Sequence, residues 1–176
     1  MSLYLAVEIG DEDKNKLAEK QVYLKQHCTA EEFEDPTKFH ITVRFVSENE
    51  QQHEKIIEAL KLWQEKYQLS KFQVTAKNFG QFEQGVIWIG VHDCLPLYQM
   101  KHQIEECCIE VGNQLRKDDF PNYIPHITMG SGVQESSSLN TVFDGIPILV
   151  DNVSLWNGFK CNDSYIHNKL FDIKLK

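Results

Sequence analysis

The sequence predicts a mixed α+β fold in two similar halves, and three observations carry that expectation. Strand-like alternation opens the chain; stretches of helical spacing then interleave with short apolar runs bounded by Gly and Pro; and one strand pattern, His-x-Thr set among apolar residues, occurs at His40–Thr42 and again at His126–Thr128.

In residues 3–9 Leu5, Val7 and Ile9 alternate with Tyr4, Ala6 and Glu8, which predicts a first strand, and Asp11 is placed to cap a helix over residues 12–27. A strand is expected from Lys38 to Val46. Ile56, Leu60, Trp63 and Tyr67 fall on one helical face, as a helix packed on a sheet requires. Phe72, Val74 and Ala76, punctuated by Gly80 and Gly85, and then the apolar run from Gly85 to Val91, predict two strands joined by a loop. Leu97, Met100, Ile104, Cys108, Val111 and Leu115 resume helical spacing. Residues 122–130 read as a strand opened by Pro121 and Pro125. After a serine-rich loop at Ser136–Ser138, two strands over 147–157 and 164–175 close the chain. No low-complexity linker divides the halves, so residues 1–176 are read as one domain of two lobes.

Composition narrows the function. Hydrophobic residues are 41% and charged residues 25% of the 176, ordinary for a globular chain and unlike a disordered or fibrous one. The net charge of -8 argues against broad duplex binding, which depends on basic side chains, and leaves room for a local cationic cleft; for a nucleotide or RNA-end substrate it predicts recognition of a small terminus and not of a long backbone track. The opening apolar run is too short for a membrane span and lacks a basic leader. Five cysteines without a CxxC indicate neither a disulfide framework nor a zinc ribbon. A cytoplasmic monomer, contacting neither membrane nor duplex DNA, is expected.

Strand geometry sends successive side chains to opposite faces. In Phe39-His40-Ile41-Thr42-Val43-Arg44-Phe45 this buries Phe39, Ile41, Val43 and Phe45 and gathers His40, Thr42 and Arg44 on the other face. A proton carrier, a hydroxyl donor and a cation on one face suit a phosphate. Tyr123-Ile124-Pro125-His126-Ile127-Thr128-Met129 repeats the device with His126 and Thr128. A single strand histidine is ordinarily a half-buried residue bonded to a neighbour, and an exposed strand arginine is equally ordinary; two matched copies favour a site. His27-Cys28-Thr29 also fits the bare pattern, but it lies at a predicted helix end and is assigned no role. Cys107-Cys108 falls on the helical stripe and reads as packing, and His53, His92, His102 and His167 as surface or structural residues.

The paired His-Ile-Thr strands resemble those of the 2H phosphoesterase superfamily, whose bacterial and archaeal branch includes the LigT-like RNA 2′,3′-cyclic phosphodiesterases, also called 2′-5′ RNA ligases. Tyr4-Leu5-Ala6-Val7-Glu8-Ile9 is similar to that family's opening strand. Asn78-Phe79-Gly80-Gln81-Phe82 with Val86-Ile87-Trp88-Ile89-Gly90-Val91 is similar to its middle hairpin, and Ile124 to Thr128 to its second catalytic strand. The resemblance runs from about residue 3 to about 130. The chain departs from the family at Val43-Arg44-Phe45-Val46-Ser47 and at Met129-Gly130-Ser131. The resemblance implies a bilobal fold, two pseudo-symmetric lobes of antiparallel sheet with helices outside.

It also implies a metal-independent and cofactor-free hydrolase of RNA processing, a phosphodiesterase acting on RNA 3′ ends or on small cyclic or 2′,5′-linked nucleotides. His40 is expected to protonate the leaving 3′ oxygen and His126 to activate water, or the reverse, while Thr42 and Thr128 bond the non-bridging oxygens and a 2′-phosphate results. Arg44 is the candidate phosphate cation, and Tyr123, Phe82 and Trp156 are candidates to stack a base, against the ordinary alternative of packing. Two alternatives stand beside this reading: cleavage of 2′,5′-oligoadenylates, and a nucleotide-end binding module without turnover. A metal site built from the two histidines with Glu83 or Asp93 ranks below them, because no His or Cys ligand spacing accompanies the pair.

Overall fold

The structure, a computed structural model, describes residues 2–117, 123–133, 142–161 and 164–176. Pro121 and the serine-rich loop at Ser136–Ser138 lie outside the described residues. In chain order the elements are β1 (Ser2–Glu8), α1 (Asp11–His27), β2 (Glu32–Phe33), β3 (His40–Ser47), α2 (His53–Tyr67), β4 (Phe72–Gln81), β5 (Ile87–His92), α3 (Leu95–Glu110), β6 (His126–Ser131), β7 (Ile146–Val150), β8 (Asn152–Cys161) and β9 (Ser164–Lys174). Short 3₁₀ turns at Pro36–Lys38 and Glu50–Gln52 lead into β3 and α2.

The strands form two antiparallel sheets, one ordered β3-β1-β8-β9 and the other β2-β6-β5-β4-β7. This is the bilobal arrangement expected of the sequence. The helices, however, are exchanged between the lobes. The helix α1 leaves the four-stranded sheet and crosses to the other: Gln21, 1% exposed, donates to the carbonyls of Glu34 (2.6 Å) and Met129 (2.9 Å), and the Tyr23 ring stacks over Phe79. The helix α3 leaves the five-stranded sheet and meets β3 through Glu105 and Arg44. With α2, whose Lys61 lies over Phe171 of β9 and whose Trp63 indole donates to Gln103 of α3, it covers the four-stranded sheet. Burial of Leu3, Leu5 and Val7 with Ile56, Leu60 and Trp63, and of Leu17 and Leu24 with Val74 and Ile127, supplies the apolar driving force.

Several boundaries differ from expectation: the strand expected over 122–130 begins at His126, and the helix whose spacing ran on to Leu115 ends at Glu110. Two further differences have clear physical causes. Asp11 does not cap α1 from outside; the helix begins at Asp11 with Gly10 at the cap position, and Asp11, Glu12 and Asp13 place their carboxylates in the first turn, where the helix dipole favours them. The predicted strand over 147–157 is two strands in two sheets: β7 pairs with β4, the chain crosses at Asp151, and β8 pairs with β1 and β9. Asn152 fixes the crossing by bonding the backbone of Glu8 in both directions, accepting from its N–H (3.0 Å) and donating to its carbonyl (3.3 Å).

Replacing Gln21 by Leu takes the side-chain donor from the Glu34 carbonyl and one of two donors from that of Met129, which keeps the Glu34 N–H at 3.0 Å, and buries the site around an apolar group. Gln21→Leu is expected to destabilise by about 2 kcal/mol, the cost of a buried group left unsatisfied, measured as the shift in urea midpoint at unchanged slope.

Candidate active site between the two motif strands

Each motif strand begins at its histidine, β3 at His40 and β6 at His126. The two strands come side by side where the sheets meet. The Tyr123 hydroxyl, just upstream of β6, donates to the Thr42 carbonyl of β3 at 2.9 Å and ties them together.

The histidines are held in the same way. Nδ1 of His40 bonds the carbonyl of Lys38 at 2.8 Å, and Nδ1 of His126 bonds that of Ile124 at 2.7 Å, in each case the residue two positions upstream. A carbonyl only accepts, so both Nδ1 atoms carry hydrogen and both neutral rings keep a bare Nε2. Burial pushes the pKa of each ring below the ordinary histidine value, against the carbonyl bond, which favours the cation. His40 is depressed further by the charges of His126 and Lys14, so the two imidazoles sense one another. Thr42 and Thr128, half-buried, follow two residues on; among the described residues neither hydroxyl makes a hydrogen bond.

The remaining predicted residues divide. Alternation breaks at Val43, where a bulge sets Arg44 against Leu5 while Thr42 stays opposite Ala6. Arg44 is therefore on the buried side, 7% exposed, its Nε 2.7 Å from Glu105 and an Nη donating to the Arg116 carbonyl at 2.8 Å. It is not beside Thr42 on the open face. Phe45, predicted to bury, is 40% exposed in its place, packed on Tyr4. Tyr123 acts as a strut, edge-on to Tyr98 and under Lys101, with a hydroxyl that burial keeps protonated.

Phe82 does stand at the site, edge-on to His126 with ring centres 5.0 Å apart. Trp156 lies opposite Tyr4 in the four-stranded sheet with Lys169 over its ring at 5.5 Å. Three wall residues escaped the sequence reading. Trp88, opposite Thr128, lies 6.1 Å from the His126 ring, and its indole crosses β4 at Gly80, where a Cβ would fall inside the ring. Tyr4 and His167 flank His40 at 5.7 and 6.2 Å. The pairing of Gly80 with an aromatic across a hairpin was the one available signal for Trp88; nothing local marked Tyr4 or His167.

The third His-x-Thr copy stands apart. His27 ends α1, stacked on Tyr23, beside an open hollow of about 930 Å³ at the far end of that helix. Among the described residues no three His, Cys, Asp or Glu side chains converge on a point where a metal ion could sit, and no helix is long and apolar enough to cross a membrane.

The sequence profile of the 2′-5′ RNA ligase superfamily matches residues 38–158. Among solved structures the chain is similar to the protein TT0787 of Thermus thermophilus (TM-score 0.82, 18% identity, covering 99% of this chain and 98% of that one). It is also similar to E. coli LigT complexed with 3′-AMP (TM-score 0.79, 19% identity, 99% and 97%), and to the MHV ns2 PDE domain (TM-score 0.58, 12% identity, 88% and 96%). At these identities the likeness is one of fold.

The packing of Trp88 on a glycine and the burial of both rings can each be tested. Gly80→Ala drives the Trp88 indole off β4, and is expected to cost about 2 kcal/mol as an overpacked site and to change the near-ultraviolet circular dichroism. Because the folded rings resist protonation, the unfolded chain binds more protons as pH falls through the ordinary histidine value of 6.5; their stabilising contribution is intact above that pH and lost below it. The urea midpoint should fall between pH 7.5 and 5.5, with a shallower fall when His40→Gln and His126→Gln are combined.

Proposed function

The chain belongs to the 2′-5′ RNA ligase superfamily of 2H phosphoesterases, and from that membership and the mirrored histidines we propose that it is a metal-independent phosphodiesterase that opens 2′,3′-cyclic phosphates of RNA ends or nucleotides to 2′-phosphates. The observation that carries the reading is the pair of Nδ1–carbonyl bonds, which presents two bare Nε2 atoms from two strands. The E. coli LigT structures hold 3′-AMP and ATP, ligands of the size this reading requires.

Burial favours the neutral form of both rings in the free protein, and an arriving phosphodiester anion favours a proton on one of them. With His40 protonated and His126 neutral, water attacks phosphorus as His126 takes its proton. The bond from phosphorus to the 3′ oxygen breaks, and His40 delivers its proton to that oxygen. The mirrored geometry serves the exchanged roles equally. Thr42 and Thr128 donate to the non-bridging oxygens, whose charge grows in the transition state, so their bonds strengthen as the reaction proceeds. Arg44, committed to Glu105, has no part in this scheme; Phe82 and Trp88 form the wall on which a base or ribose packs beside His126.

The test is turnover in EDTA of 2′,3′-cyclic AMP, a cyclic-ended oligonucleotide and 2′,5′-oligoadenylate. Turnover of the cyclic substrates to 2′-phosphates supports the proposal; cleavage of oligoadenylate alone assigns the 2′,5′-phosphodiesterase, and retention without product a binding module. His40→Ala and His126→Ala are each expected to lower kcat about 10²–10⁴-fold, and Thr42→Val or Thr128→Val about 10²-fold. The profile of kcat/KM against pH is expected to be a bell centred below 6.5, since both free-enzyme rings are depressed from that value. Wild-type turnover in either alanine variant would refute the pair.

A further inference from the structure

His167, on the last strand, is distant in sequence from both motifs, yet it completes a triangle of rings around His40. The Tyr4 ring lies 5.7 Å from His40 and 5.8 Å from His167, and the two imidazoles are 6.2 Å apart. The Tyr4 hydroxyl is 2.6 Å from Nδ1 of His167. Tyr4 is 4% exposed, so its position is set by packing and by that bond. The second histidine has a different brace: His126 is flanked by the phenyl ring of Phe82 and the indole of Trp88, neither of which has a hydroxyl to give to a third imidazole. The two halves of the site are thus alike at the Nδ1–carbonyl bond and unlike in the rings that hold each imidazole in plane.

We propose that His167 is a third histidine of the site, a positioning residue that acts through Tyr4: its Nδ1 accepts the Tyr4 hydroxyl, and the Tyr4 ring, packed against both imidazoles at one corner of the triangle, fixes the plane of His40. Nothing in the reaction passes through His167. Its Nδ1 accepts where those of His40 and His126 donate, so its neutral tautomer is the opposite one, with hydrogen on Nε2. The charged and titratable groups around His40 are Tyr4 and, opposite it in register, Glu8 on β1; Lys14 on α1; Lys38 in the 3₁₀ turn; His126 on β6; and His167 on β9. Glu8 is engaged by Lys169 and Ser154, and Lys38 is the further charge felt by His167.

The kinetic arm of the test, and that arm alone, rests on the phosphodiesterase reading. In wild type, His167→Ala, His167→Asn and Tyr4→Phe, imidazole ¹⁵N spectra read the tautomer and titration of each ring, and turnover of 2′,3′-cyclic AMP is measured beside them. Wild type is expected to show Nε2–H at His167 and Nδ1–H at His40 and His126. His167→Ala and Tyr4→Phe are expected to lower kcat about tenfold with little change in KM, as loss of orientation does, and to raise the His40 midpoint while moving that of His126 less than half as much. His167→Asn, whose Oδ1 stands where Nδ1 stood, is expected to restore most of both. Nδ1–H at His167, an unmoved His40 in His167→Ala and Tyr4→Phe, or equal movement of His40 and His126 would overturn the proposal. If wild type turns over no cyclic substrate, the functional reading fails and the spectra still decide the role of His167.

Discussion

The site depends on one kind of hydrogen bond made twice: an imidazole Nδ1–H given to the carbonyl two residues before it. That bond holds a half-buried ring by the backbone and leaves the opposite nitrogen to the groove. It also fixes where each strand starts, because a carbonyl two residues upstream cannot turn back onto the ring within an extended chain. The Pro36–Lys38 turn precedes His40, and Pro125 precedes His126. Proline, which lacks the N–H and fixes φ, suits a segment that must stop short of the ladder.

The lobes must also be held in register for the two motif strands to lie side by side. The exchange of α1 and α3 does this, since each of these helices packs on the sheet it does not leave, and sliding one lobe would break Gln21 from Met129 and Glu105 from Arg44. Arg44 thereby matters to the site without facing it. Its guanidinium is buried with a carboxylate and a carbonyl, a geometry a lysine could not reproduce. An acidic chain with a net charge of -8 still surrounds His40 with Lys14 and Lys38, so the local field differs from the overall one.

Periodicity and the doubled His-x-Thr pattern made the helices, most strands and the two histidines legible, because each is written in spacings of two to four residues. Arg44 and Phe45 were misplaced for a reason of the same scale: alternation assumes an unbroken ladder, and the bulge at Val43 depends on β1, not on any residue of β3 alone. The strand over 147–157 was read as one because Asp151 is neither Gly nor Pro, and the turn between sheets is enforced by Asn152 reaching Glu8, far away in sequence.

What the sequence by itself determined was the class of fold, most of the faces that bury, and the pair of His-x-Thr strands that form the candidate site, all consequences of short-range spacing. What only the tertiary structure decided was which rings gather around each histidine, with Tyr4 and His167 at one and Phe82 and Trp88 at the other, and which nitrogen of His40 and of His126 carries the hydrogen. Those follow from contacts between residues as far apart as 4 and 167, and strand order, set by the packing of whole sheets, is what brings such residues together.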